Sequence, residues 1–216
     1  MNSITIQNVY PKYFIPKNDR LASQIWNQNI TFQKGDSYLI IAPSGSGKST
    51  LASAILGNHF QYEGAILYDA VSIKSLSIEQ LVAHRKNGVQ LLFQDVRLIP
   101  ELTLKENILL RIFDKNEAQY LDLINDYSNK LGITQLLDKK AMNCSYGERQ
   151  RAAIVRSLIN PANFLLFDEC FSHLDVENKR NAFNLIQSVA QEQGKAIVFF
   201  ELNEFSFQHS CKTMHL

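Results

Sequence analysis

The residues best suited to chemistry stand in the stretch APSGSGKST, which runs from Ala42 to Thr50. A glycine- and serine-rich turn that ends in Lys-Ser-Thr is typical of loops that bind phosphate groups through backbone N–H groups and a lysine ammonium. In that pattern Lys48 neutralises charge at the β- and γ-phosphates, and the hydroxyl of Ser49 binds Mg²⁺. Gly45 and Gly47 allow the backbone to approach the phosphates closely. The predicted phosphate-binding residues are Ser44, Gly45, Ser46, Gly47, Lys48, Ser49 and Thr50.

One position departs from the pattern G-x-x-x-x-G-K-S/T, because Ala42 stands where its first glycine belongs. A methyl group is tolerated there only if the local φ is negative. A flexible Gly/Ser turn without a ligand is the plain alternative, and the Lys-Ser-Thr spacing disfavours it. We therefore expect nucleotide binding with a negative φ at Ala42.

A second set of chemically capable residues closes the stretch FLLFDE, from Phe164 to Glu169. Asp168, at the end of an apolar strand, is placed to hold Mg²⁺ through water or together with Ser49, and Glu169 to polarise an attacking water. Acidic residues after a strand also occur as simple caps or surface turns. The phosphate loop upstream favours the functional interpretation.

The elements that must position these residues alternate along the chain. Apolar runs such as SYLIIA, QLLF, FLLFD and KAIVFF are separated by helical patterns, which predicts a buried, mostly parallel sheet with helices on both faces. The runs NITFQ and GAILY fit an antiparallel flank. Between Gln94 and Cys144 the apolar spacing is helical, which indicates a small helical insertion.

Composition restricts the class of protein. The 216 residues include 22 basic and 21 acidic side chains, a formal net charge of +1, with no run of like charge that marks a nucleic-acid or lipid surface. No window approaches the roughly 18 apolar residues of a membrane span, and the N-terminus lacks a signal-peptide pattern. We expect a cytosolic protein of one large domain that does not bind nucleic acid.

In their order along the chain, the motifs resemble those of an ATP-binding cassette (ABC) ATPase over essentially the whole length. Tyr13 matches the aromatic ring that stacks on adenine, and Gln94 in LLFQD matches the loop that reaches the metal and the attacking water. NCSYGERQRAAIVRSL resembles the family signature helix, with Ser145 and Gly147 at the positions that touch the γ-phosphate held by the opposing subunit. FSHLD, at 171–175, matches the dimer-contact loop.

Each motif alone also has a simpler interpretation. Tyr13 could fill the core or the surface. Gln94 could satisfy backbone groups at a strand end. ERQRAAIVRSL could be an ordinary amphipathic helix with a solvated arginine face.

The resemblance implies an α/β fold of the ABC type of P-loop NTPase, with a mainly parallel core sheet, an antiparallel β flank and a small helical subdomain. It divides a single domain of residues 1–216 into a core of about 1–94 and 161–216 and a helical subdomain of about 95–160. The implied catalytic residues are Glu169, Gln94 and Lys48, and the implied metal ligands are Ser49, Gln94 and Asp168.

The signature and the segment after KAIVFF both depart from the family pattern. The signature is usually Leu-Ser-Gly-Gly-Gln, whereas this chain has Cys144-Ser145-Tyr146-Gly147-Glu148, so Tyr146 adds bulk and Glu148 adds charge. After KAIVFF the family usually has a histidine that contacts the γ-phosphate, and Leu202 stands at that position. Leucine cannot donate a hydrogen bond. His209, further along, is an alternative donor or a solvated side chain.

The resemblance implies a subunit that binds ATP and Mg²⁺ between two cassettes, in a homo- or heterodimer, and drives a separate membrane permease from the inner face of the membrane. QDVRLIPELTLKENILL resembles the cassettes of lipoprotein-release, cell-division and peptide-export systems. Leu98, Ile99 and Pro100 are then either part of a groove for a permease helix or core of the helical insertion.

Two other functions stay open at this point. Leu202 and the altered signature are compatible with a regulatory or scaffold cassette that hydrolyses ATP weakly or not at all, although keeping Glu169 argues against it. A soluble DNA-repair or translation cassette is disfavoured, because the chain has no zinc-ligand cysteines, long coiled coil or second cassette.

Overall fold

The computed structural model describes residues 1–13, 23–110, 112, 117–205, 207 and 210–216. The strands are β1 Ser3–Pro11, β2 Asn29–Gln33, β3 Ser37–Ile41, β4 Tyr62–Tyr68, β5 Val71–Ser72, β6 Val89–Leu92, β7 Phe164–Asp168, β8 Ala196–Glu201 and β9 Lys212–His215. The α-helices are α1 Lys48–Ile55, α2 Ile78–Asn87, α3 Leu104–Leu109, α4 Glu117–Lys130, α5 Tyr146–Leu158 and α6 Val176–Gln193. In this part of the chain, no helix is both long and apolar enough to cross a membrane.

The chain forms two compact units. The first contains Met1–Leu91, Ala162–Asp168 and Gly194–Leu216, and the second contains Leu92–Pro161 and Glu169–Gln193. The sequence placed residues 169–193 with the core, whereas the packing groups them with the helical segment, because α6 packs against α5 and α4. The division into a core and a helical subdomain stays a prediction of the resemblance.

The central sheet of the first unit has the strand order β6-β7-β8-β3-β9. Its pairs β7–β8, β8–β3 and β3–β9 are parallel. Every residue of β7 and β8 is buried, as expected for apolar strands covered on both faces. The mostly parallel sheet predicted from the sequence is confirmed, and it brings the carboxyl ends of β3 and β7 to one edge.

The antiparallel flank predicted from NITFQ and GAILY is also confirmed. It is a four-stranded sheet of order β2-β1-β4-β5, in which β1 pairs antiparallel with both β2 and β4. Sequence periodicity missed the helix α2, the two-residue strand β5 and the edge strand β9. The helix α2 begins with a capping box in which Ser77 and Gln80 bond each other's backbone, a signal that was readable. The edge strand β9 is short and largely exposed, so no apolar run marks it.

In the second unit, Asn107 is a fully buried side chain that fixes the turn before α3. Its amide donates to the carbonyl oxygens of Ile99, Leu102 and Thr103 at 3.0, 3.3 and 2.9 Å. Its Oδ1 accepts from the N–H of Ile99 at 2.7 Å. One buried side chain thus adds four hydrogen bonds to this turn and supplies the side-chain acceptor for the Ile99 N–H.

We expect Asn107→Ala to lower the free energy of unfolding by roughly 2–4 kcal/mol, because it removes four hydrogen bonds of a fully buried side chain, including the side-chain acceptor of the Ile99 N–H. Urea denaturation followed by circular dichroism measures the change. Asn181→Ala, an exposed asparagine on α6, is the matched control and should change stability by less than about 0.5 kcal/mol. Equal stability of the two variants would contradict this role for Asn107.

Candidate functional site

The predicted phosphate loop lies in the first unit, between the end of β3 and the start of α1. Gly47 caps α1 with a φ of 99°, and Gly45 has a φ of 74°. Apart from Gly45 and its chain neighbours, no atom of the described residues lies within 4 Å of the place that a Cβ of Gly45 would take, so the space there is open. Both positions have backbone angles that favour glycine, and α1 presents its N-terminus to the loop.

Ala42 fits the loop despite replacing the first glycine. It is buried at 1% exposure and is not among the described non-glycine residues with positive φ. Its N–H donates to the carbonyl of Glu201 at 3.0 Å, and its carbonyl accepts from Nζ of Lys48 at 2.8 Å. Because its backbone avoids the conformation that only glycine adopts easily, the methyl group is accommodated.

Lys48 folds back over its own loop. Its side chain is only 4% exposed, and Nζ donates to the carbonyl oxygens of Ala42 and Pro43 at 2.8 and 3.3 Å. These bonds hold the ammonium over the turn that connects β3 to α1. The positive charge is therefore placed at the loop, as the motif requires.

Ser46 carries a polar atom with no partner. Its Oγ is buried and makes no hydrogen bond within the described part of the chain. The indole N–H of Trp26 donates to the carbonyl of Ser46 at 3.4 Å. An unpaired hydroxyl in a phosphate loop suits a ligand that supplies the missing partner. No motif singles out Trp26, so sequence reasoning missed it, although it is the only tryptophan in the chain.

Two oxygen donors suit Mg²⁺ in the first unit. Asp168 ends β7 and is 3% exposed, and β7 is separated by β8 from β3, which leads into the loop. Ser49 is exposed in the first turn of α1. Mg²⁺ in nucleotide sites takes such oxygens together with substrate phosphates rather than a dedicated cage of side chains. Among the described residues, no group of three or more His, Cys, Asp and Glu side chains forms such a cage.

Glu169 and Gln94 meet in the second unit. Nε2 of Gln94 donates to Oε2 of Glu169 at 2.9 Å. The amide of Gln150 donates to the backbone carbonyl of Glu169 at 3.4 Å. Glu169 itself has a φ of 48°, a strained value for a non-glycine residue and one that recurs at functional sites. The structure thus brings together two of the predicted catalytic residues.

The predicted signature forms the N-terminus of α5. Ser145 caps the helix through a capping box with Glu148: Oγ of Ser145 accepts from the N–H of Glu148 at 3.3 Å, and Oε2 of Glu148 accepts from the N–H of Ser145 at 2.7 Å. A Cβ at Gly147 would lie 3.1 Å from the carbonyl oxygen of His173, so a larger residue would crowd the chain there. The negative charge of Glu148 is thus engaged in capping its own helix.

Tyr146 makes contacts that the family's usual glycine could not. Its hydroxyl donates to the backbone carbonyl of Gln94 at 2.5 Å. Its ring lies 4.1 Å from the ring of His173, centroid to centroid, at an angle of 45°. The sequence treated Tyr146 only as added bulk and did not single out His173.

Three predicted positions gain no support from contacts. Tyr13 is 78% exposed beyond the end of β1, so adenine stacking stays a prediction. Leu202 follows β8 and is 39% exposed. His209 lies outside the described residues.

The comparisons with known proteins agree on one family. A family model described as ABC transporter matches residues 25–172. YvcR of Bacillus subtilis (strain 168), an uncharacterized ABC transporter ATP-binding protein, is 27% identical over 214 residues, which cover 98% of this chain and 82% of that protein. The lipoprotein-releasing system ATP-binding protein LolD of Shewanella denitrificans is 31% identical over 172 residues, which cover 79% of this chain and 74% of LolD.

Solved structures agree with the sequence relatives. A dimeric post-hydrolysis state of the ATP-binding cassette MJ0796, bound to ADP and Pi, superposes with a TM-score of 0.77 at 25% identity. The match covers 93% of this chain and 88% of that one.

Proposed function

The chain belongs to the ABC transporter ATP-binding proteins, and from this premise we propose that it binds Mg-ATP and hydrolyses it to drive a separate membrane permease. The observation that carries the proposal is the pair of Gln94 and Glu169 joined by a hydrogen bond, in a chain whose phosphate loop has the required glycine conformations and lysine. Steady-state ATP hydrolysis by the purified chain, with Glu169→Gln as the blank, tests it. The alternative of a regulatory or scaffold cassette has no support from the relatives.

The phosphate loop would hold the triphosphate. Lys48 would exchange its bonds to the carbonyls of Ala42 and Pro43 for the β- and γ-phosphate oxygens, which are stronger acceptors because they are charged. The unpaired hydroxyl of Ser46 and the backbone around Gly45 would add neutral donors. Tyr13, exposed at the edge of the described residues, is proposed to stack on the adenine.

Glu169 would act as the general base toward the attacking water, and Gln94 would orient both. Ser49, Asp168 and Gln94 would hold Mg²⁺, which neutralises developing charge on the phosphates. The hydrogen bond from Gln94 limits the rotation of the Glu169 carboxylate, so that the base is presented in one orientation.

A second cassette would complete each site. Ser145 and Gly147, at the positive end of α5, are proposed to face the γ-phosphate bound by the partner cassette. The similar cassette MJ0796 is dimeric in a post-hydrolysis state with ADP and Pi bound, which supports an assembly of two cassettes. ATP would then close the dimer, and hydrolysis would reopen it.

The permease would contact the segment of Leu98, Ile99 and Pro100. Ile99 is 44% exposed and Pro100 is also exposed, so the core interpretation does not fit them. The buried side chain of Asn107 holds the backbone of Ile99 through hydrogen bonds to its N–H and its carbonyl oxygen. The proposed location is therefore the inner face of the membrane, and the similarity to LolD supports a permease of the lipoprotein-release type.

We expect Leu202→His to raise kcat for ATP hydrolysis by roughly 10-fold or more, because it would restore a polar contact whose loss from comparable sites costs about 10²–10³ in rate. Steady-state kinetics with saturating ATP measures the change. Leu202→Ala, which removes the leucine without adding a donor, should not raise the rate. No gain in the histidine variant would mean that another group already supplies the contact.

A further inference from the structure

Tyr146 occupies the position where the family signature usually has glycine, and its side chain contacts Gln94 and His173, which lie in two other parts of the second unit. The hydroxyl bonds the carbonyl of Gln94 at 2.5 Å. The amide of Gln94 bonds the carboxylate of Glu169 at 2.9 Å. The chain of contacts thus runs from the signature to the proposed base through one intermediate residue.

The contacts also return to Tyr146 by a second route. Gln150 donates to the carbonyl of Glu169 at 3.4 Å, and its Oε1 accepts from the N–H of His173 at 3.3 Å. The ring of His173 then packs on the ring of Tyr146 at 4.1 Å. Tyr146, Gln94, Glu169, Gln150 and His173 therefore form a closed ring of contacts. With glycine at position 146 this ring would be open.

The segment after Gln94 needs such an anchor because its backbone is strained. Val96 and Arg97 have successive φ values of 52° and 47°, which non-glycine residues rarely adopt. Arg156, near the end of α5, donates to both of their carbonyl oxygens, at 2.5 and 2.9 Å. Tyr146, the first residue of α5, holds the segment at its other end.

The hydroxyl of Tyr146 stays protonated and can therefore donate a hydrogen bond. Burial raises its pKa above the ordinary value, the negative charge of Asp95 raises it further, and Arg149 opposes both. At neutral pH the side chain is therefore a hydrogen-bond donor and not a phenolate.

We propose that Tyr146 is a positioning residue for ATP hydrolysis: by fixing the backbone carbonyl of Gln94, it directs the Gln94 side chain onto Glu169. The proposal rests on the function proposed above and assigns a role to a residue that the family pattern does not use. Tyr146 acts through Gln94, whose backbone carbonyl accepts its hydrogen bond. In the wild-type chain, the orientation of the proposed base Glu169 therefore depends on the hydroxyl of Tyr146.

The variant Tyr146→Phe tests the role, since it removes the hydroxyl and keeps the ring that packs on His173. We expect kcat to fall by roughly three- to tenfold with an unchanged KM for ATP. The melting temperature should stay the same, because water replaces the lost donor at this solvent-accessible carbonyl. Tyr120→Phe, on α4 of the same unit, is the matched control and should leave kcat unchanged. A kcat equal to wild type in Tyr146→Phe overturns the proposal.

A double-mutant cycle with Gln94→Ala separates positioning from a purely structural effect. If Tyr146 acts through the Gln94 side chain, Tyr146→Phe should cause no further loss of kcat in the Gln94→Ala background. Fully additive losses overturn the proposal, because they would show that Tyr146 works by another route.

The side-chain amide resonances of Gln94 give a readout that does not depend on turnover. They are assigned as the pair that disappears from the ¹⁵N spectrum of Gln94→Ala, and they should shift in Tyr146→Phe but not in Tyr120→Phe. Unshifted resonances overturn the positioning of Gln94, whatever the rate. The resonances could also shift in Tyr146→Phe while wild-type turnover does not depend on Glu169. That result would retain the positioning of Gln94 and reject the proposed hydrolysis.

Discussion

Lys48→Ala is expected to weaken ATP binding by roughly 10²-fold or more, because truncating one partner of a desolvated charge pair typically costs about 2–5 kcal/mol. Lys48 is nearly buried, and its ammonium is already held at the phosphate loop. The alanine side chain would leave the phosphate charge to the backbone N–H groups and the α1 dipole alone. Hydrolysis should be lost with binding at ordinary ATP concentrations.

The fluorescence of Trp26 offers a direct measurement of ATP binding. Its indole bonds the loop at Ser46, and it is the only tryptophan, so emission should change when ATP fills the loop. Titration with Mg-ATP then gives Kd for wild type and Lys48→Ala. Lys34→Ala, which alters an exposed lysine in the same unit, is the control and should bind as wild type does.

Unchanged ATP affinity in Lys48→Ala would reject the phosphate-loop assignment. Because Lys48 also bonds Ala42 and Pro43, the variant must be shown to fold. A thermal melt of each variant by circular dichroism, without nucleotide, provides that check. A Lys48→Ala variant that folds and binds ATP with wild-type affinity would show that the phosphate loop is not the ATP site.

Glu169→Gln should lower kcat by about 10²–10⁴ while ATP binding is kept, because the amide cannot accept the proton of the attacking water. The change is isosteric, so the strained backbone at φ 48° is not disturbed further. The carbonyl of the new glutamine can still accept from Gln94. ATP would then stay intact, and the ATP-bound dimer should accumulate.

Steady-state phosphate release and light scattering with Mg-ATP measure the two effects. Glu177→Gln, on the exposed surface of α6, is the control and should turn over normally. Unchanged turnover in Glu169→Gln would reject Glu169 as the base. A population that stays monomeric with ATP would reject closure of two cassettes around the nucleotide.

Local sequence signals predicted most of the fold and the family. The core strands β3, β7 and β8 are largely apolar runs, and the phosphate loop is a contiguous stretch, so periodicity and spacing are enough to find them. The structure confirms the parallel sheet and the antiparallel flank, and the family model confirms the ABC family.

The missed contacts depend on chain topology. Tyr146 and Gln94 are 52 positions apart, and no local pattern tells that a tyrosine will reach a backbone carbonyl so far away. Trp26 reaches Ser46 across a segment of 20 positions for the same reason. The grouping of α6 with the helical unit likewise follows from packing that periodicity does not describe.

The packing of Tyr146 on His173 affects which substitutions these two positions can accept. A glycine at position 146 would leave His173 without its ring partner and Gln94 without its donor, whereas a change at His173 would remove one support of Tyr146. The effects of substitutions at these two positions on stability should therefore be coupled and not simply additive. Restoring the common signature glycine in this chain would thus remove two contacts at once, the ring packing on His173 and the hydrogen bond to Gln94.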